Sequence, residues 1–112
     1  MVKVNYYFWI QSGRGTEQIQ PITLPSDISK MERKSKLEDW CSHFGAWHVS
    51  GNCVAYGCVV STPSVRKKVM SYYKAKSQES QKIDELIHKK ITTEQYTRWA
   101  NRNRKARMFP FK

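Results

Sequence analysis

The segment KVNYYFWIQ, residues 3–11, alternates in character along its length. One set of alternate positions holds Val4, Tyr6, Phe8 and Ile10, and the other holds Lys3, Asn5, Tyr7, Trp9 and Gln11. A period of two in aromatic and β-branched residues is typical of a β-strand. Because a sheet must be buried against a second layer, the segment predicts one strand of a sheet with at least one covered face.

Further strands are predicted on both sides of a helical segment. EQIQPITL, residues 17–24, returns after the glycine-containing break SGRGT, and Pro21 has no N–H for a ladder bond, so we expect an edge strand. In AWHVSGNCVAYGCVV, residues 46–60, Gly51-Asn52 suits a two-residue turn and predicts a hairpin. These segments together predict a small antiparallel sheet of three or four strands.

Helices are predicted between and after the strands. Residues 25–45 carry an apolar stripe with helical spacing, and Ser26 or Asp27 is the expected N-cap. The stripe consists of Leu37, Trp40, Cys41 and Phe44. Thr62-Pro63 is expected to begin a second helix, whose polar residues 74–82 form either a projecting helical turn or a loop. Thr92 and Gln95 have capping-box spacing, so a last helix is expected from about Thr93.

The fold class is therefore α+β: a small antiparallel sheet packed with one helix, followed by a basic helical half. A length of 112 residues suits one domain. The charge of the chain is unevenly distributed. Residues 1–61 hold six Lys/Arg and five Asp/Glu, whereas residues 62–112 hold fourteen Lys/Arg and four Asp/Glu. The net charge of +11 thus lies almost entirely in the second part and indicates an acidic partner: nucleic acid, an anionic membrane face or an acidic protein.

The densest cationic stretch is TRWANRNRKARMFPFK, residues 97–112, which contains no acid. Arginine is suited to nucleic acid because its planar guanidinium bonds phosphate oxygens in pairs. The predicted nucleic-acid-binding cations are Arg98, Arg102, Arg104, Lys105, Arg107, Arg66, Lys67, Lys68, Lys89 and Lys90. The spacing of Arg98, Arg102 and Lys105 predicts that these three lie along one side of the last helix.

Tyr7 and Trp9 are the aromatic candidates for the same function. They lie on the strand face opposite Phe8. If that face is open, unpaired bases can stack on it, as they do on the aromatic sheet faces of single-strand binders. The competing interpretation is that a helix covers the face and makes both residues part of the core.

A metal site is the third possibility considered. Cys41, His43, His48 and Cys53 have the pattern C-x-H-x4-H-x4-C, and four N/S ligands suit zinc. Residues i and i+2 of a helix point in nearly opposite directions, and Cys41 belongs to the apolar stripe. The sequence therefore predicts neither a bound metal nor a cofactor.

Two short segments carry the best case for an enzyme. WHVSGN followed by YYKAK resembles the rolling-circle replication nickases, in which a metal-binding histidine strand precedes a tyrosine helix. The resemblance implies that His48 ligates metal and that Tyr72 or Tyr73 attacks the phosphodiester. That family pairs two histidines on the strand, whereas Ala46 and Ser50 flank His48 here. We therefore assign the chain to no family on this resemblance and predict no enzymatic activity.

The predicted function is that of a small basic accessory protein, of the kind found in viruses, phages or mobile elements, that binds nucleic acid or a nucleoprotein complex. The first alternative is an inhibitor or assembly factor whose basic helices dock on an acidic protein. The second is a metal-dependent nuclease or nickase. Three cysteines, no signal-peptide pattern and no apolar run of membrane-spanning length predict an intracellular location, cytoplasmic or nucleoid-associated. No oligomeric state is predicted.

Overall fold

The computed structural model describes residues 2–12, 17–43 and 54–111 and confirms the predicted α+β class. In chain order the elements are β1 (Lys3–Ser12), β2 (Glu17–Pro25), α1 (Lys30–Ser42), β3 (Val54–Val60), α2 (Pro63–Ile87), α3 (Thr93–Arg102) and α4 (Arg104–Arg107). They form two compact units. The sheet unit comprises Met1–Thr62 with Phe111–Lys112, and the helical unit comprises Pro63–Pro110.

The sheet has the strand order β2-β1-β3, and both pairings are antiparallel. In the register, Tyr7 lies opposite Pro21 of β2 and Val59 of β3. The position of β2 at an edge confirms the prediction made from Pro21, whose missing N–H would break the ladder of a central strand. The predicted first strand of the hairpin and its Gly51-Asn52 turn lie outside the described residues.

The core of the sheet unit lies between the sheet and α1. It consists of Tyr6, Phe8, Ile10, Leu24, Leu37 and Cys41. The Phe8 face of β1 therefore packs against α1, and the part of the predicted helix stripe that the structure describes is confirmed.

Helix α1 begins later than its sequence suggests. Its N-cap is Ser29, whose Oγ accepts a hydrogen bond of 3.1 Å from the backbone N–H of Glu32. The expected caps Ser26 and Asp27 are wrong. Both belong to the turn that follows β2, in which the N–H of Ile28 donates to the carbonyl of Pro25.

The helical unit is built on α2, which runs without interruption for 25 residues. Of the two alternatives predicted for residues 74–82, the helical one is confirmed and the loop is wrong, because the whole segment is helical. Its Lys, Gln, Glu and Ala residues have high helix propensity, and Ala75 is buried. At 1.5 Å per residue the helix is about 37 Å long.

The capping box predicted for α3 is confirmed. The Thr92 hydroxyl accepts from the N–H of Gln95 at 3.1 Å, and the Gln95 side chain accepts from the N–H of Thr92 at 2.8 Å. Both α3 and α4 pack against α2. The buried side chains of this unit are Val69, Tyr72, Ala75 and Trp99.

The predicted single helical side formed by Arg98, Arg102 and Lys105 is wrong. Asn103 ends α3, and its side-chain N–H donates to the Trp99 carbonyl at 2.9 Å. Lys105 therefore belongs to the separate helix α4. No helix in the described part of the chain combines the length and the apolar character needed to cross a membrane.

Candidate nucleic-acid interface

Three adjoining grooves mark the surface of the helical unit. The central groove has a volume of about 580 Å³ and is lined by Ser64, Lys67, Lys68, Ser71, Tyr72, Lys105, Ala106, Met108, Phe109 and Pro110. A second groove of about 460 Å³ is lined by Pro63, Arg66, Lys67, Met70, Ser71 and Lys74. A third, of about 490 Å³, is lined by Asn101, Arg102, Arg104, Lys105 and Met108.

The three grooves are continuous because they share lining residues. Lys67 and Ser71 line both the first and the second, and Lys105 and Met108 line both the first and the third. We call the combined surface the basic trough. Its cations are Arg66, Lys67, Lys68, Lys74, Arg102, Arg104 and Lys105. Among the residues that the structure describes, no acid lines any of the three grooves.

Helix geometry explains how these cations converge. Ser64, Lys67, Lys68 and Ser71 recur at intervals of three and four residues, so they lie along one face of α2. Lys105 comes from α4, which packs against α2 and brings its charge to the same groove. The trough therefore joins cations that are about 40 positions apart in the sequence.

The acids of the helical unit are paired locally. Glu85 lies 3.9 Å from the Lys82 ammonium, Glu94 lies 2.9 Å from the Arg98 guanidinium, and Asp84 lies 3.4 Å from the His88 ring. Glu79 binds Lys76 and Arg107. Within the described residues, six trough cations have no carboxylate partner: Lys67, Lys68, Lys74, Arg102, Arg104 and Lys105. The positive charge of these six side chains is therefore not neutralised by carboxylates of the described residues, and it can attract an anion.

Arg107, a predicted contact to nucleic acid, is used inside the fold instead. Its guanidinium lies 5.8 Å from the centre of the Trp99 ring and donates to Glu79 Oε2 and to the Ala100 carbonyl, both at 2.8 Å. Its side chain is only 24% exposed. This prediction is corrected: the planar guanidinium that would suit phosphate here joins α4 to α2 and α3.

Glu79 shows the strength of this internal link. Burial alone would raise the pKa of its carboxyl, but hydrogen bonds from Arg107 and Lys76 outweigh burial and hold the pKa below the ordinary value of 4.5. Glu79 is therefore ionised at neutral pH and satisfies the charge of Arg107.

Three other predicted cations lie away from the trough. Arg98 pairs with Glu94 on the exposed side of α3. Lys89 and Lys90 follow the end of α2, whereas the trough uses only residues 63–74 of that helix, so by helix rise about 20 Å of α2 separates them. Lys89 has a φ of 60°, and the N–H of Lys90 donates to the Glu85 carbonyl at 2.8 Å. This hydrogen bond and backbone conformation are typical of a helix C-terminus.

The predicted stacking platform on β1 is wrong. Tyr7 is 9% exposed and Trp9 is 5% exposed. Phe111 stacks on Trp9 with ring centres 5.7 Å apart and lies 6.4 Å from Tyr7. A Cβ atom at Gly57 would lie 2.7 Å from the Trp9 ring, so the glycine makes room for the indole. Both aromatics belong to a packed layer and offer no face to a base.

The structure describes only some of the residues of the metal and nickase hypotheses. Cys41 is buried, and burial together with the nearby Glu38 raises the pKa of its thiol to about 11. Tyr72 is 6% exposed and its ring contacts Tyr73 and Phe109, whereas Tyr73 is exposed. His48 and Cys53 lie outside the described residues, and among the described ones no three His, Cys, Asp or Glu side chains are placed to hold a metal.

The sequence interpretation missed part of the trough. Lys74 lies seven residues after Lys67, which is two helical turns and a signal for the same face of α2. No helical spacing in the sequence places Met108, Phe109 and Pro110 in the groove. Their place in the groove depends on the end of α4 at Met108, which a cationic run does not reveal.

Comparison with known proteins adds no assignment. No protein-family model matches the chain, and neither the curated proteins nor the solved structures gave a significant match.

Proposed function

We propose that the protein binds nucleic acid through the basic trough of the helical unit and catalyses no reaction there. The observation that carries the proposal is that seven cations, and no acid among the described residues, line a surface formed by three helices, α2, α3 and α4. Cations placed along a groove neutralise successive phosphates and release their counterions, which supplies affinity without sequence-specific contacts.

The pairing of the acids supports the same conclusion. Three of the four acids in the helical unit, Glu79, Glu85 and Glu94, have a lysine or arginine partner, and Asp84 lies beside the His88 ring. A surface designed only for solubility needs no such separation of signs, since mixed charges serve that purpose. The folded helices also hold the cations in place before binding, so little ordering entropy is lost when a polyanion binds.

The proposal is tested by measuring fluorescence anisotropy of labelled oligonucleotides and of labelled polyglutamate over a series of salt concentrations. We expect nucleic acid to bind with a strongly negative slope of log affinity against log salt. Tight binding of polyglutamate without binding of nucleic acid would contradict the proposal and favour an acidic protein as the partner. Cleavage of the oligonucleotide in the presence of a divalent metal would contradict the non-enzymatic part.

A further inference from the structure

We infer that the central groove of the basic trough receives an unpaired nucleobase, so that the ligand is single-stranded nucleic acid. This inference rests on the proposed function and narrows it. A trough that held only phosphates would need charge alone, but this groove also has an apolar lining. Its volume of about 580 Å³ lies within the roughly 300–1,000 Å³ of pockets that enclose small ligands.

The apolar lining comes from the segment that follows α4. Met108 ends that helix with extended backbone, at φ −73° and ψ 140°, so the chain leaves the helical path there. Met108, Phe109 and Pro110 then line the groove together with Tyr72 of α2. The Phe109 ring meets the Tyr72 ring edge to face at 5.6 Å, which fixes its orientation. Met108 is 58% exposed, so its thioether is available to a ligand.

The polar lining of the same groove can bind the phosphates and the polar edge of a nucleotide. Lys67 and Lys68 on α2 and Lys105 on α4 are exposed ammonium groups that can neutralise a phosphate on either side of a nucleotide. Ser64 and Ser71 add hydroxyl groups, which both donate and accept and so can bond a base edge. A nucleotide combines an apolar ring with an anion, and this groove offers a surface for each.

The apolar lining also indicates that the bound nucleic acid is single-stranded. In a duplex the flat faces of the bases are stacked on one another, and the outer surface offers mainly phosphate and sugar to a shallow groove. A single strand can turn a base out and stack it on an aromatic or apolar side chain, as occurs in general single-strand binders. Only the second mode makes use of Met108 and Phe109.

The test compares strands that carry the same phosphates and differ in their bases or their sugars. Wild-type protein is titrated against labelled oligothymidylate, oligouridylate and an abasic deoxyribose-phosphate chain, each of about 12 nucleotides, a length within the site sizes of single-strand binders. All three carry the same phosphates. We expect at least one base-containing strand to bind roughly 10-fold tighter than the abasic chain, because one stacked base contributes about that factor. The two sugars show whether the strand is DNA or RNA, and a preference for either supports the inference.

The failure of the inference and that of the proposed function give different results. Equal binding of all three chains would overturn the inference and leave the charge-based function standing. Binding of none of them would overturn the proposed function and the inference with it.

A matched pair of variants adds a second measurement. Met108→Ala removes a 58% exposed groove side chain, and Met31→Ala removes an 82% exposed methionine from α1. We expect Met108→Ala to weaken binding of the base-containing strand without changing binding of the abasic chain, and Met31→Ala to change neither. An equal effect of Met108→Ala on both chains, or no effect on either, would contradict contact with a base.

Discussion

The sheet unit and the helical unit both carry side chains that resemble a nucleic-acid surface, and the two units use them in opposite ways. Tyr7 and Trp9 on β1 are covered by Phe111, so their apolar area serves stability. Lys67 and Lys105 of the trough have no carboxylate partner among the described residues and remain exposed. The comparison teaches that a candidate binding residue is best judged by whether the fold already provides its partner.

The largest expected effect is on the packed aromatic layer. Trp9→Ala removes a 5% exposed indole from its stack with Phe111, and we expect a loss of about 3–5 kcal/mol in the free energy of unfolding. Urea denaturation measures this loss. Met31→Ala, at an 82% exposed position, is the control and should change the free energy by no more than about 0.5 kcal/mol. A similarly small effect of Trp9→Ala would mean that the aromatic face is not packed.

A smaller effect is expected where a cation is used inside the fold. Arg107→Gln leaves the half-buried Glu79 carboxylate without its closest partner, at a cost of about 1–2 kcal/mol after allowance for partial exposure. Arg104→Gln, at an exposed trough position, should cost less than about 0.5 kcal/mol. For binding we expect the opposite ranking of the two variants. Arg104→Gln should reduce the slope of log affinity for nucleic acid against log salt, and Arg107→Gln should not. A smaller slope for Arg107→Gln in the folded protein would show that Arg107 contacts phosphate.

The same pair predicts a pH dependence of stability. The folded-state pKa of Glu79 lies below its ordinary value of 4.5, so its contribution is complete above that value and is lost as the pH falls through the lower, folded-state pKa. Urea denaturation of wild type and Glu79→Gln at several pH values measures it. The advantage of wild type should be constant from neutral pH to about 5 and should shrink in more acidic solution. Parallel pH profiles of the two proteins would contradict an ionised Glu79 in the link.

Much of the fold could be predicted from local sequence patterns. The alternation in β1, the effect of Pro21 on β2 and the capping box of α3 each depend on residues within a few positions of one another. The predicted N-cap of α1 was wrong. Ser26, Asp27 and Ser29 all have side chains that can cap a helix, and only the geometry of the turn after β2 decides among them.

The site was less predictable because its decisive contacts join distant residues. Phe111 meets Trp9 across about 100 positions, and Arg107 meets Glu79 across 28 positions. The sequence shows how many cations the C-terminal half contains, but not which of them are paired. That distinction removed Arg107 from the predicted interface and added Lys74 to it.

The smallest change in stability is expected for a variant that removes three trough cations, and the same variant should change nucleic-acid binding. The triple variant Lys67→Gln, Lys68→Gln and Lys105→Gln changes only exposed side chains and should leave the free energy of unfolding within about 0.5 kcal/mol per site. The matched control, Lys89→Gln, Lys90→Gln and Arg98→Gln, removes the same charge from exposed positions of the same unit that do not line the trough. Net charge is therefore equal in the two variants, and only its position differs.

The most direct measurement is the salt dependence of oligonucleotide binding by these two variants and wild type. Each single-strand phosphate contact contributes about 0.7 to the slope of log affinity against log salt, so loss of three contacts should reduce the slope of the trough variant by about 2. The control variant should keep the wild-type slope. Equal slopes for the two variants would mean that the nucleic acid responds to net charge and not to the trough, and that result would contradict the proposed interface.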